Sequence, residues 1–261
     1  MLKCGFNRRC YPGGFTKAIL KHNPKARGHG IALPEEEGGS SPLVSDQHKT
    51  RITVHLHDVT HFDLSGPFRT DPIPALYIPL PFRTKFNLVT LDAHRFGTPR
   101  EGLEEGETTR MILSQLLIAL ESTAINGIIL MRLSLGQGDQ MVAILYMFSL
   151  LFRTLSVHKP VCGHKGRGSF YAVADGFQGT SFENARVLEK ILVVLRKQWW
   201  DASFSGEEGR GRWIDEWWDE IVKSEELPKL FGMRFIELIT PVWETQIIGL
   251  KTHFRKNKVA F

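Results

Sequence analysis

Cysteine is scarce in this chain. Cys4, Cys10 and Cys162 are the three in 261 residues, an odd number without paired spacing, which argues against a disulfide framework and a cysteine-type zinc site. A reducing, intracellular compartment is the expectation. Long apolar runs are also missing. The longest block, near Met141 to Phe152, is broken by Tyr146 and Ser149, short of the roughly 18 apolar residues of a membrane helix. The N-terminus has no signal-peptide-like apolar region. His55, His57, His61 and His94 lie near one another but complete no recognisable ligand spacing, so no metal is expected. No internal repeat is detectable. An acidic excess is absent too: 33 Lys and Arg against 28 Asp and Glu give a net charge of +5, which is compatible with a polyanionic partner without establishing one.

What is present points to one large core. With 42% hydrophobic residues, the chain can bury a single α/β domain with an appendage. Cys10-Tyr11-Pro12-Gly13-Gly14-Phe15-Thr16 forms a Pro-Gly-Gly turn leading into a helical pattern from Lys17. Adjacent glycines let backbone approach a ligand, and a helix opening there aims free amide groups at it; an ordinary turn before a surface helix is the alternative. Short strands are expected at Lys3–Phe6, Gly28–Leu33, Arg51–His57, Phe86–Leu91, Ile128–Met131, Leu155–Val157 and Phe170–Ala174. A helix after Glu107 carries Ile112, Leu116, Leu117 and Leu120 at helical spacing, with Asn126-Gly127 as its stop, and another covers about Gln140 to Phe152. Gly136-Gln137-Gly138-Asp139 reads as a turn before that second helix. The alternation predicts a largely parallel, Rossmann-like sheet covered by helices. Ligands of such sheets bind outside the carboxyl ends of the strands, where Gly13, Gly14, Asp58, Asp92 and Arg132 all fall.

In order along residues 4 to 177, these segments resemble the FtsJ-like S-adenosylmethionine-dependent RNA ribose 2'-O-methyltransferases. The resemblance is carried by Cys10–Phe15 as the glycine-rich first motif, Gly28–Leu33 as the second strand and His57-Asp58-Val59-Thr60 as the adenine-side acid. Asn87–Asp92 matches the fourth strand with its acid, and Lys159-Pro160 through Ser169-Phe170-Tyr171 the penultimate loop and last strand. It implies that Pro12, Gly13, Gly14 and Phe15 line the cofactor, that Asp58 accepts from the adenine amine, and that Asp92 and Arg132 occupy catalytic positions. The cofactor brings its own reactive methyl, so the protein supplies orientation and electrostatics.

The departures are equally specific. The family surrounds the acceptor hydroxyl with a Lys-Asp-Lys-Glu tetrad. Here the strand-five lysine is Arg132, which cannot act as a base near neutral pH, and the glutamate position is Ser169. The first lysine belongs to a segment before the first motif, which this chain begins too late to contain. The first-strand acid falls on Asn7, a usual glycine on Arg9, and the second-strand acid on Ala32, with Glu35 to Glu37 close behind. Two readings follow: an active methyltransferase, or an inactive relative that uses the same fold to bind RNA or a protein.

From Arg153 to Arg167 the chain has no acid, and Lys159, Lys165 and Arg167 are expected to follow an RNA backbone or to be a solvated basic surface. The domain is expected over residues 1 to 180, followed by a helical extension over 181 to 261. In that extension one helix spans about Ser181 to Trp200, Phe204 to Arg212 is a Gly-rich linker, and a second helix carries Trp213, Trp217 and Trp218 among acids. Acids repel phosphate, so these tryptophans suit core packing or a protein partner better than base stacking. A last helical segment with a basic end begins near Lys229.

Overall fold

The structure, a computed structural model, describes residues 2–6, 14–39, 49–66, 78–93, 107–161, 165–179, 181, 184–206 and 211–257. Seven strands form one sheet: β1 (Leu2–Phe6), β2 (Gly28–Ala32), β3 (Ile52–Leu56), β4 (Phe86–Ala93), β5 (Thr123–Ser134), β6 (Phe152–His158) and β7 (Ser169–Phe177). Among the described residues five α-helices accompany them: α1 (Gly14–His22), α2 (Glu107–Ser122), α3 (Gly138–Leu151), α4 (Ala185–Phe204) and α5 (Leu227–Lys256). The strand order is β3-β2-β1-β4-β5-β7-β6. Strands β3 to β5 pair in parallel, and β7 runs antiparallel between β5 and β6. The chain moves outward from β1 to β3 and then returns to the other side of β1 with β4. That reversal puts the topological switch point at the carboxyl ends of β1 and β4, the ligand position of doubly wound sheets.

Helix α2 shows how the sheet is covered. Its apolar stripe predicts one buried face, yet Leu113, Leu116, Leu117, Ile118 and Ala119 all have 0% exposure. The outer face is covered by α4, where the buried indole of Trp199 donates to Ser114 Oγ at 3.0 Å. One continuous apolar cluster runs from Ile31 and Val89 through α2 and α3 to Trp199, Trp217 and Phe231. The C-terminal segments therefore pack on the same core.

Two expectations on local structure are corrected. Asn126-Gly127 does not stop α2. The helix ends at Ser122, where the hydroxyls of Ser122 and Thr123 donate back to the Ile118 and Ala119 carbonyls, and Asn126, with φ of 56°, forms a bulge within the long β5. Nor do residues 213–221 form a helix. Trp213 and Ile214 are irregular chain and Asp215 to Ile221 a series of turns, with Glu216 at φ of 49°, a left-handed conformation that a helix does not accommodate. The turns still deliver Trp217 and Trp218 into the core at 1% and 7% exposure, whereas Trp213 is 52% exposed. Trp217 Nε1 donates to Gln140 Oε1 at 2.9 Å and Trp218 Nε1 to Ser224 Oγ at 3.1 Å.

Candidate functional site

Asp92 stands at the carboxyl end of β4, in register with Gly5 of β1. Leu91 pairs with Met131, so Arg132 follows immediately on the neighbouring strand. Its Nη1 lies 3.7 Å from Asp92 Oδ1, with the arginine and aspartate side chains 11% and 17% exposed. Partial burial strengthens this attraction over that of a surface pair. Arg132 is also in register with Tyr171 of β7.

One residue that fixes this corner escaped the sequence reading. Gln115, 2% exposed on α2, accepts from Ala93 N and donates to Ala93 O, both at 3.0 Å. Its amide thus grips the backbone directly beyond Asp92. Its only sequence signal is a glutamine amid the apolar residues of α2, and a buried amide needs partners of this kind. At the end of β5, Ser134 and Gln137 close a reciprocal capping box.

On the cofactor side, α1 opens at Gly14, which is exposed; among the described residues beyond its own helix and chain neighbours, no atom lies within 4 Å of the position a Cβ would take. Phe15 packs edge-on against Tyr171 with ring centroids 5.3 Å apart, tying α1 to the strand beside Arg132. Pro12 and Gly13 lie outside the described residues, as do Asn7, Arg8 and Arg9. Asp58 follows β3 on the same edge. One of its oxygens, Oδ1, accepts from Thr60 N at 2.8 Å and Thr60 Oγ1 at 2.7 Å, which caps the short turn Val59–His61 and orients the carboxylate. Glu35 to Glu37 form an exposed turn beyond β2.

The basic loop between β6 and β7 lies at the same edge, because Ser169 at the start of β7 pairs with Ser134 at the end of β5. Arg167 is exposed and Lys165 half-buried. Lys159 corrects the expectation of a third cation facing RNA. It is 6% exposed and donates to the carbonyls of Arg167 and Ser169, the latter at 2.9 Å, and to Gln246 Oε1 at 3.1 Å. Burial pushes its ammonium below the usual lysine range. Ser169 is 9% exposed and adds no charge.

Away from this edge, His29 Nδ1 and His55 Nε2 are 3.1 Å apart with stacked rings. Burial, followed by the nearby His29 and His57, holds His55 below the ordinary histidine range. Among the described residues no three His, Cys, Asp or Glu converge into a metal-binding group, and no helix is long and apolar enough to cross a membrane.

A sheet of this order, with an acid ending β4 and a helix opening after β1, defines a Rossmann-like methyltransferase fold. Residues 9–177 match the family model of the FtsJ-like methyltransferases, and the chain belongs to that family. Among solved structures it is similar to a protein assigned as a ribosomal RNA methyltransferase from Plasmodium falciparum, at 17% identity over 68% of this chain and 85% of that one, TM-score 0.42. An rRNA methylase from Streptococcus thermophilus gives 10% identity over 68% and 87%, TM-score 0.41. Human methyltransferase-like protein 13 in complex with SAH gives 16% over 75% and 81%, TM-score 0.37. No curated protein matches the sequence.

Proposed function

We propose that this protein uses S-adenosylmethionine to methylate a ribose 2'-hydroxyl of RNA. The observation that carries this reading is Asp92 at the end of β4, held beside Arg132 at 3.7 Å, where the sequence resemblance puts the family's catalytic aspartate. The cofactor, when bound, supplies an electrophilic methyl on a sulfonium. Gly14 and Phe15, with Pro12 and Gly13 before them, would line its methionine and ribose end, and the Asp58 carboxylate would accept from its adenine amine. Asp92 would orient the acceptor hydroxyl by accepting its hydrogen bond, and the hydroxyl proton would leave to solvent water as the methyl passes to the oxygen. Arg132 holds the Asp92 carboxylate in place and stabilises charge but takes no proton. Lys165 and Arg167 offer phosphate contacts beside the site.

A second reading, a binding scaffold without turnover, is favoured by the guanidinium where the family has lysine and by the uncharged Ser169. Calorimetric titration with S-adenosylmethionine, paired with transfer of labelled methyl to RNA, separates the two. The enzyme reading expects cofactor binding and incorporation. Binding without incorporation, in both the parent and Arg132→Lys, leaves a scaffold.

A further inference from the structure

The loop between β6 and β7 is tied down on two sides. Toward β5, Leu135 N donates to Gly168 O at 3.0 Å. Toward α5, the inward-turned Lys159 joins the carbonyls of Arg167 in the loop and Ser169 at the start of β7 to Gln246 Oε1. One turn further along α5, Gly249 meets the loop backbone itself: a Cβ there would come within 2.6 Å of Gly166 N and of the Lys165 carbonyl carbon. A side chain of any size would push the helix off the loop, since the atoms it meets are main chain. A buried ammonium needs acceptors in place of water, and of those near Lys159 the Arg167 carbonyl belongs to the very loop it secures and the Ser169 carbonyl to the first residue of β7. Gln246 and Gly249 are three residues apart, on one face of the helix.

We propose that α5 is a positioning element for the RNA-facing loop, with Gln246 and Gly249 fixing Lys159 and residues 165–168 so that Lys165 and Arg167 are presented at the edge beside Asp92 and Arg132. This rests on the RNA reading of that site. The cost of binding a polyanion with an ordered loop is lower than with a loop that must be ordered on contact, so α5 contributes to RNA affinity without touching the cofactor.

The test uses the full chain and three variants, Gln246→Ala, Gln246→Glu and Gly249→Ala, with a short single-stranded oligoribonucleotide as probe. Amide hydrogen exchange over 159–168, RNA affinity and S-adenosylmethionine affinity are measured on each. Gln246→Ala and Gly249→Ala are expected to speed loop exchange and weaken RNA binding, each by about tenfold, the scale of one lost hydrogen bond to a charged group. Cofactor affinity and exchange within β4 and β5 stay at the parent values. Gln246→Glu, which returns an acceptor to Lys159, restores both loop protection and RNA affinity. Unchanged loop exchange in both loosening variants would overturn the proposal, as would a loosened loop with parental RNA affinity, or loss without rescue by Gln246→Glu. A parent that binds no RNA defeats the RNA reading and the proposal with it, while loop exchange separately reports whether α5 holds the loop.

Discussion

The guanidinium of Arg132 faces the carboxylate of Asp92 across the β4–β5 junction, Nη1 to Oδ1, at 3.7 Å. Both groups are largely withdrawn from water, so each is costly to leave without the other. Asp92→Ala is expected to lower stability by about 1 to 3 kcal/mol and turnover by about 10²-fold or more. Adding Arg132→Met should recover part of the stability and none of the turnover. A double-mutant cycle in urea measures the coupling; strict additivity would mean that the pair is not energetically linked.

Asp58 serves two ends at once, capping the Val59–His61 turn through Thr60 and, on the proposed reading, accepting from adenine. Asparagine keeps an oxygen for the cap and loses the carboxylate. Asp58→Asn should therefore weaken cofactor affinity by about 1 to 3 kcal/mol with little change in melting temperature. Asp58→Ala should also destabilise the fold by about 0.5 to 2 kcal/mol, the range for a lost cap. Calorimetry and thermal unfolding on both variants check this; parental affinity in the asparagine variant would remove Asp58 from the cofactor site.

The His29–His55 pair predicts an acid-side weakness. His55 sits below the ordinary histidine range because of burial, His29 and His57, whereas in the unfolded chain it titrates at about 6.5. As pH falls through that value, the unfolded state takes up the proton that the folded state refuses, so stability declines between about pH 7 and 5. His55→Gln should flatten this part of the profile. Urea midpoints across that range give the answer, and an equally steep loss in the variant would assign the effect to other groups.

The tryptophans of the C-terminal region separate by burial. Trp217→Ala should cost about 3 to 5 kcal/mol, the usual scale for emptying a large buried site, and Trp213→Ala no more than about 0.5 kcal/mol. Denaturant unfolding of both compares them directly. Similar costs would contradict the packing of residues 213–222 on the core.

Much of the sheet could be read from the chain because each strand is a short apolar run ending on a polar residue: Asp58 and Asp92 fall at the carboxyl edge for that reason. The start of β5 was hidden, since Thr123 and Asn126-Gly127 carry the chemistry of a stop signal and only pairing with β4 turns it into a bulge. The all-round burial of α2 depends on α4, a cover that local periodicity does not report. In the Trp-rich segment helical spacing was present, and the backbone at Glu216 overrode it. At the site, residue type placed Asp92 and Arg132 at adjoining strand ends. It did not place Lys159, because a lysine's direction is set by partners, and Gln246 is 87 residues away. Gln115 was missed on the same ground: its partner is a main-chain position, which has no signature in sequence.

The central claim is tested most directly by mapping the methyl. Protein, S-adenosylmethionine carrying a labelled methyl and RNA are incubated, and the RNA is digested to nucleosides and resolved by mass spectrometry. Label is expected in 2'-O-methylnucleosides with the parent protein, a greater yield with Arg132→Lys, whose amine can take a proton where a guanidinium cannot, and about a hundredth or less of the parent yield with Asp92→Ala. Label on a base, or no label from either the parent or Arg132→Lys with cofactor bound, would contradict it.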